Sequence, residues 1–154
     1  MEVKRILVPY NFTGNDQKAL DFVIQRYGQD GNVEITLFHA YTAVPKIDVS
    51  DKTVMKLMNT NLAYLRQKIT ELEIEFDKAQ ERLIRAGFAG EKVHGEFKPL
   101  KDNLAQEIIN QVKSGGFSTI VLNRNPSKIK GFFTMSTSKM IMKSLPGICI
   151  HMVV

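Results

Sequence analysis

The residues with the most chemical potential in this chain lie near its end. Arg124, Lys128 and Lys130 sit in a loop after an apolar run, and Ser136, Thr137 and Ser138 open the helical stretch that follows. No Asp or Glu occurs after Glu107, so no nearby acid along the chain offsets these cations. A helix N-terminus presents unpaired N–H groups and the positive end of its dipole. Cations, hydroxyls and free amides in one place describe a site for an anion such as phosphate. The same residues also fit a solvated basic loop that serves solubility. Asn11, in the loop after the first strand, completes the candidate set of Asn11, Arg124, Lys128, Lys130, Ser136 and Ser138.

Other chemistries find little purchase. No Ser-His-Asp order, paired carboxylates or nucleophile elbow can be picked out, so no enzyme activity is expected. His39, His94 and His151 fall in or near predicted strands without metal-ligand spacing, and they read as packed or hydrogen-bonded structural residues. Cys149, between Ile148 and Ile150, reads as inert strand packing. A single cysteine excludes an internal disulfide framework and fits a reducing cytoplasm. Met135, Met140 and Met142 read as core or interface packing.

Composition sets wider bounds. The chain has 154 residues, 44% hydrophobic and 24% charged, which suits one folded domain spanning 1–154. No apolar run reaches the roughly 18–20 residues of a membrane helix. The net charge of +5 permits an anionic partner. The lysines lack interleaved aromatics and any nucleic-acid motif, which argues against nucleic acid.

The elements that must position the candidate residues follow from pattern. Lys4 to Pro9 is a first strand whose proline marks its end. Thr13 or Asn15 can cap the next helix, built on Ala19, Leu20, Val23 and Ile24 and ended by Gly28. Asn32 to Tyr41 is a strand. From a Ser50 cap to Gly87, apolar residues recur every three or four positions from Val54 to Leu83. A helix over 51–86 would be about 55 Å long, so one end should project or bend. Its seam also allows helix-mediated association, beside the simpler reading of a helix lying across a sheet. Lys92 to Phe97 is a polar edge strand, and a helix capped by Asp102 or Asn103 follows and ends at Gly115-Gly116. Thr119 to Leu122, a turn at Asn125-Pro126, a helix over Met135 to Ser144 and the strand Ile148 to Val154 form a closing βαβ unit. Strands alternating with helices throughout indicate an α/β doubly wound parallel sheet of five strands.

The strand Ile6-Leu7-Val8-Pro9 followed by Ala19-Leu20, the Leu37-Phe38-His39 stretch, and Ser136-Thr137-Ser138 before the last strand together resemble the universal stress protein family. The resemblance covers essentially the whole chain. It implies sheet order 3-2-1-4-5, an adenine-nucleotide alpha-hydrolase-like fold, and a homodimer formed through the C-terminal strand. ATP-binding members share a loop of Gly, two residues, Gly, nine residues, Gly, then Ser or Thr. Anchored on Ser136, those glycine positions hold Leu122, Asn125 and Met135. Binders also carry an Asp soon after the first-strand proline, where Asn11 stands here. Without glycine, backbone amides lose close approach to a phosphate. The resemblance therefore implies a cytoplasmic stress-response factor that acts by ligand or protein association, without a cofactor. The alternative is an ATP-binding or adenine-nucleotide-binding switch with a divergent phosphate loop.

Overall fold

The computed structural model describes residues 2–44, 52–123 and 135–153. In chain order the elements are β1 (Lys4–Pro9), α1 (Gly14–Tyr27), β2 (Val33–Tyr41), α2 (Lys52–Arg85), a short 3-10 turn (Gly90–Lys92), β3 (Val93–Pro99), α3 (Leu104–Gly115), β4 (Thr119–Asn123), α4 (Met135–Ser144) and β5 (Cys149–Val153). The sheet runs β3-β2-β1-β4-β5, the order 3-2-1-4-5 expected from the sequence. Every pairing is parallel, and Ile6 and Leu7 of β1 lie against Thr119 and Ile120 of β4.

Alternation within the strands divides the core between two faces. Ile6, Val8, Ile35, Leu37 and Val121 pack with Ala19, Leu20 and Val23 of α1 and with Phe76, Ala79 and Leu83 of α2. Leu7, Phe38, Ile120 and Leu122 pack with Ile108, Ile109 and Val112 of α3 and with Ile141 of α4. Strands covered on both faces must be continuously apolar, which is what β1 and β4 show. Gly95 lets α2 lie close on β3, because a Cβ there would stand 2.7 Å from the Phe76 ring and 2.6 Å from the Gln80 amide. Gly116 closes α3 in the left-handed conformation at φ 65, a conformation that glycine adopts without a Cβ clash.

Several expectations are refined. Thr13, not Asn15, is the N-cap of α1, and Asn103, not Asp102, caps α3 by accepting from Gln106 N at 2.8 Å. The β3 strand extends to Pro99, beyond the expected Phe97, because its register with β2 continues to Tyr41. The Ser50 cap and the turn at Asn125-Pro126 lie outside the described residues.

Other expectations are corrected. Cys149 is exposed rather than packed, because β5 is the sheet's edge strand and Cys149 is its first residue. Of the two readings of Met140 and Met142, core packing is the one corrected: both are exposed, since α4 turns the intervening Ile141 into the core and each neighbour points about 100° away. His94 is also exposed, on the opposite edge strand.

The length of α2 decides its exposure. Its 34 residues span about 51 Å, whereas the seven residues of β3 span about 23 Å. Phe76, Ala79 and Leu83 are buried, while in the first half only Leu62 is, and Val54, Met55, Leu57, Tyr64 and Leu65 are all exposed. The N-terminal half therefore runs past the strands, as its length alone required. Phe76→Ala should cost about 3–5 kcal/mol in urea denaturation, through a cavity under the helix. Leu57→Ala, at a position 66% exposed, should stay within about 0.5 kcal/mol of the parent. An equal loss in both variants would mean that the projecting half is covered in solution.

Candidate functional site

In an open α/β sheet the crevice for ligands lies beyond the carboxyl ends of the strands, where winding reverses. Here that place is between β1 and β4, flanked by the loop 10–13 and by Asn123 at the end of β4.

The loop is organised by a residue that sequence reasoning missed. Asp16 is wholly buried in the first turn of α1. Its Oδ2 accepts from Asn11 N at 3.1 Å, Thr13 N at 2.6 Å and Thr13 Oγ1 at 2.9 Å. Its Oδ1 accepts from the Asn123 Nδ2 amide, at the end of β4. One carboxylate thus ties the β1 loop, the start of α1 and the end of β4 together. The local signal was present: Thr13 followed three residues later by an acid is the pattern of a capping box. The contact with Asn123, 107 residues away, had no such signal.

Aromatic rings close the β2 flank of the same edge. Tyr10 is buried, and its hydroxyl accepts from Gln17 Nε2 at 2.8 Å, which is in turn held through Gln17 Oε1 by Arg82 of α2 at 2.6 Å. His39 Nδ1 meets the Tyr10 carbonyl at 2.7 Å and so donates to it. Phe12 lies edge-on to Tyr10 at 4.9 Å and to His39 at 4.8 Å, and His39 stacks with Phe97 at 5.6 Å. Burial holds His39 below the usual imidazole range, against its bond to Tyr10, which pulls the other way. Its structural reading stands, as does that of His151, whose Nε2 lies 2.8 Å from the Tyr27 hydroxyl. An open hollow of ≈ 350 Å³ adjoins His39 between the end of β2 and Leu65, Lys68, Ile69 and Leu72 of α2.

The predicted site residues divide as follows. Asn11 sits in the loop, half-buried, and its Nδ2 is sealed from solvent without a hydrogen-bond partner among the described residues. Ser136 belongs to the first turn of α4 through its backbone, and Ser138 is buried two residues on. Arg124, Lys128 and Lys130 lie outside the described residues. Leu122, at the first position of the glycine pattern, is wholly buried in the sheet.

Burial raises the Asp16 carboxyl above its ordinary value, and the Thr13, Asn11 and Asn123 donors only partly reverse this. A raised folded value means that the native state holds the proton more tightly than the unfolded chain. This contribution to stability is complete below the unfolded value, about 3.9, and is lost as pH rises through the higher folded value. The urea midpoint should therefore carry a downward component across that window, which Asp16→Asn abolishes. Asp16→Ala should cost on the order of 3 kcal/mol, because it strands buried donors on both sides of the crevice. A variant as stable as the parent would show that the clamp is dispensable.

The sequence profile of the universal stress protein family matches residues 2–147. Solved structures with the same fold include the universal stress protein UspA from Lactobacillus plantarum, at 12% identity and a TM-score of 0.68, covering 100% of this chain and 99% of that one. A universal stress protein from Archaeoglobus fulgidus in complex with dAMP aligns at 11% identity and a TM-score of 0.67, covering 100% of both chains. A universal stress protein in complex with cAMP aligns at 13% identity and a TM-score of 0.61, covering 99% of this chain and 98% of that one. No curated protein sequence matches the chain. With the profile spanning nearly its whole length and the 3-2-1-4-5 sheet in place, this chain belongs to the universal stress protein family.

Proposed function

We propose that this protein is a cytoplasmic stress-response factor that acts by associating with a ligand or protein rather than by catalysis. Its crevice takes a small phosphate-bearing anion and does not hold ATP tightly. The observation that carries this reading is Leu122. A side chain wholly buried in the sheet stands where the phosphate loop of ATP binders has its first glycine. Met135 and Asn125 replace the other two glycines, so the close approach of backbone to a triphosphate is lost while the basic residues remain. Among the described residues no helix is long and apolar enough to cross a membrane.

A second reading, a nucleotide-binding switch, is favoured by the relatives in complex with dAMP and cAMP. Each of those ligands carries a single phosphate, so neither needs a full triphosphate cradle.

Calorimetric titration separates the two. Phosphate should bind more tightly than ATP, whose dissociation constant should be on the order of millimolar, or about −4 kcal/mol. Micromolar ATP affinity would overturn the first reading and promote the switch. Lys128→Ala combined with Lys130→Ala should weaken phosphate binding; unchanged binding would reduce the basic loop to a solvated surface.

The assembly proposed for the protein is a homodimer. β5 ends the sheet with an edge that no strand among the described residues pairs, and an apolar edge of this kind invites pairing. Antiparallel pairing of two β5 strands about a two-fold axis would close it, with the exposed Met140 and Met142 of α4 alongside. Light scattering at micromolar concentration should give a dimer for the parent and a monomer for Ile150→Glu, with circular dichroism confirming that the variant is folded. A monomeric parent would overturn the assembly.

A further inference from the structure

The first half of α2 runs past the strands with its apolar row intact. Met55, Met58, Leu62, Leu65, Ile69 and Leu72 follow one another in alternating steps of three and four residues, the spacing of a coiled-coil seam. The row continues without a break into Phe76, Ala79 and Leu83, which pack against the sheet. Before Phe76 only Leu62 is buried. Met55 and Leu65 are 38% and 41% exposed, and Met58, Ile69 and Leu72 are half-buried. Scattered apolar side chains on a surface need no explanation, but a continuous row of them marks a place of association.

The row is complementary to itself. Turned end for end about a two-fold axis, it sets Met55 against Leu72 of a second copy, Met58 against Ile69 and Leu62 against Leu65, and each layer occurs twice. The charges beside the seam fit the same register. On one flank Lys52 comes beside Glu73 and Arg66 beside Asn59; on the other Lys68 comes beside Asn61 and Glu75 beside Val54. No like charges face each other. The segment 52–70 holds Lys52, Lys56, Arg66 and Lys68 and no acid, so a pairing confined to it would repel. The reversed register escapes this by reaching the acids that begin at Glu71. A parallel alignment is closed off, because each copy's own sheet occupies the seam from Phe76 onward and two sheets would meet in one place. The open hollow of ≈ 350 Å³ between the end of β2 and Leu65, Ile69 and Leu72 lies level with the Met55 and Met58 that a second copy brings. Methionine is the side chain best suited to filling an irregular gap of that kind.

We propose that the projecting half of α2 is a docking surface for the same half of a second copy, packed antiparallel, so that each copy fills the hollow beside His39 of the other. This interface is separate from the β5 edge. The seam is short, which puts it in the class of small, weak interfaces, with a dissociation constant on the order of 100 μM. It therefore joins the species present at micromolar concentration into one of twice the mass.

Sedimentation equilibrium of the full chain, from the micromolar range to several hundred micromolar, tests this. The mass should double across that range. Leu65→Glu and Met55→Glu, both at exposed positions, should each abolish the doubling, with circular dichroism confirming the fold. Leu57→Glu, exposed but outside the seam, should leave the doubling unchanged, and so should Ile150→Glu. The register is read by mixing Met58→Cys with Ile69→Cys, each combined with Cys149→Ser, under mild oxidation. A disulfide should join unlike chains and neither variant to itself. A mass that stays constant to several hundred micromolar would overturn the proposal and leave the seam to a different protein. Doubling that survives both Leu65→Glu and Met55→Glu would overturn it too, as would Met58→Cys chains that cross-link to each other.

Discussion

The buried carboxylate of Asp16 is the constraint on which the functional edge of this molecule depends. A carboxylate removed from water must be met by donors, and Asp16 gathers four from Asn11, Thr13 and Asn123. Those donors come from both sides of the place where the winding of the sheet reverses. The shape of the β1 loop, the starting direction of α1 and the distance to β4 are therefore set by one group. The left-handed backbone at Phe12 follows from it, since the flanking amides reach one oxygen only if the chain turns sharply between them.

The sheet supplies the rigidity that makes such a clamp useful. β1 and β4 lie at its centre and are apolar on both faces, with Ile6, Leu7, Val8, Ile120, Val121 and Leu122 all wholly buried. Their carboxyl ends cannot move apart without disturbing two packed cores. Loop residues mounted on such ends hold their geometry better than loops joined to mobile segments. Arg82 adds a second support by reaching from α2 to Gln17, which holds the Tyr10 hydroxyl. The aromatic flank is thus fixed from the helical layer as well as from the strands.

The same architecture leaves two regions uncommitted. β5 is an edge strand with an exposed Cys149 at its start, and α2 carries apolar residues well past the strands that cover its other half. The intrahelical pairs Lys68–Glu71, Lys78–Glu75 and Arg85–Glu81 are exposed and add little to stability. What holds α2 is the burial of Phe76, Ala79 and Leu83 against β3, which Gly95 permits by its lack of a side chain.

The sequence alone determined the sheet order through its resemblance, and the elements through their patterns. Continuous apolar runs announced the central strands, and recurrence from Val54 to Leu83 announced a helix too long for its domain. Glycine at 87 and 116 marked helix ends through their left-handed backbones. These signals are local, because they arise from periodicity and from the steric needs of single residues. Only the tertiary structure decided the partners of Asp16, which reads in sequence as an ordinary acid at a helix start and acquires its role through an amide 107 residues away. The same holds for the meeting of Phe12, His39 and Phe97, which come from three separate stretches of chain. The exposure of Met140, Met142 and Cys149 was likewise settled by what covers them, since apolar character says that a side chain can be buried but not whether a neighbour is there to bury it.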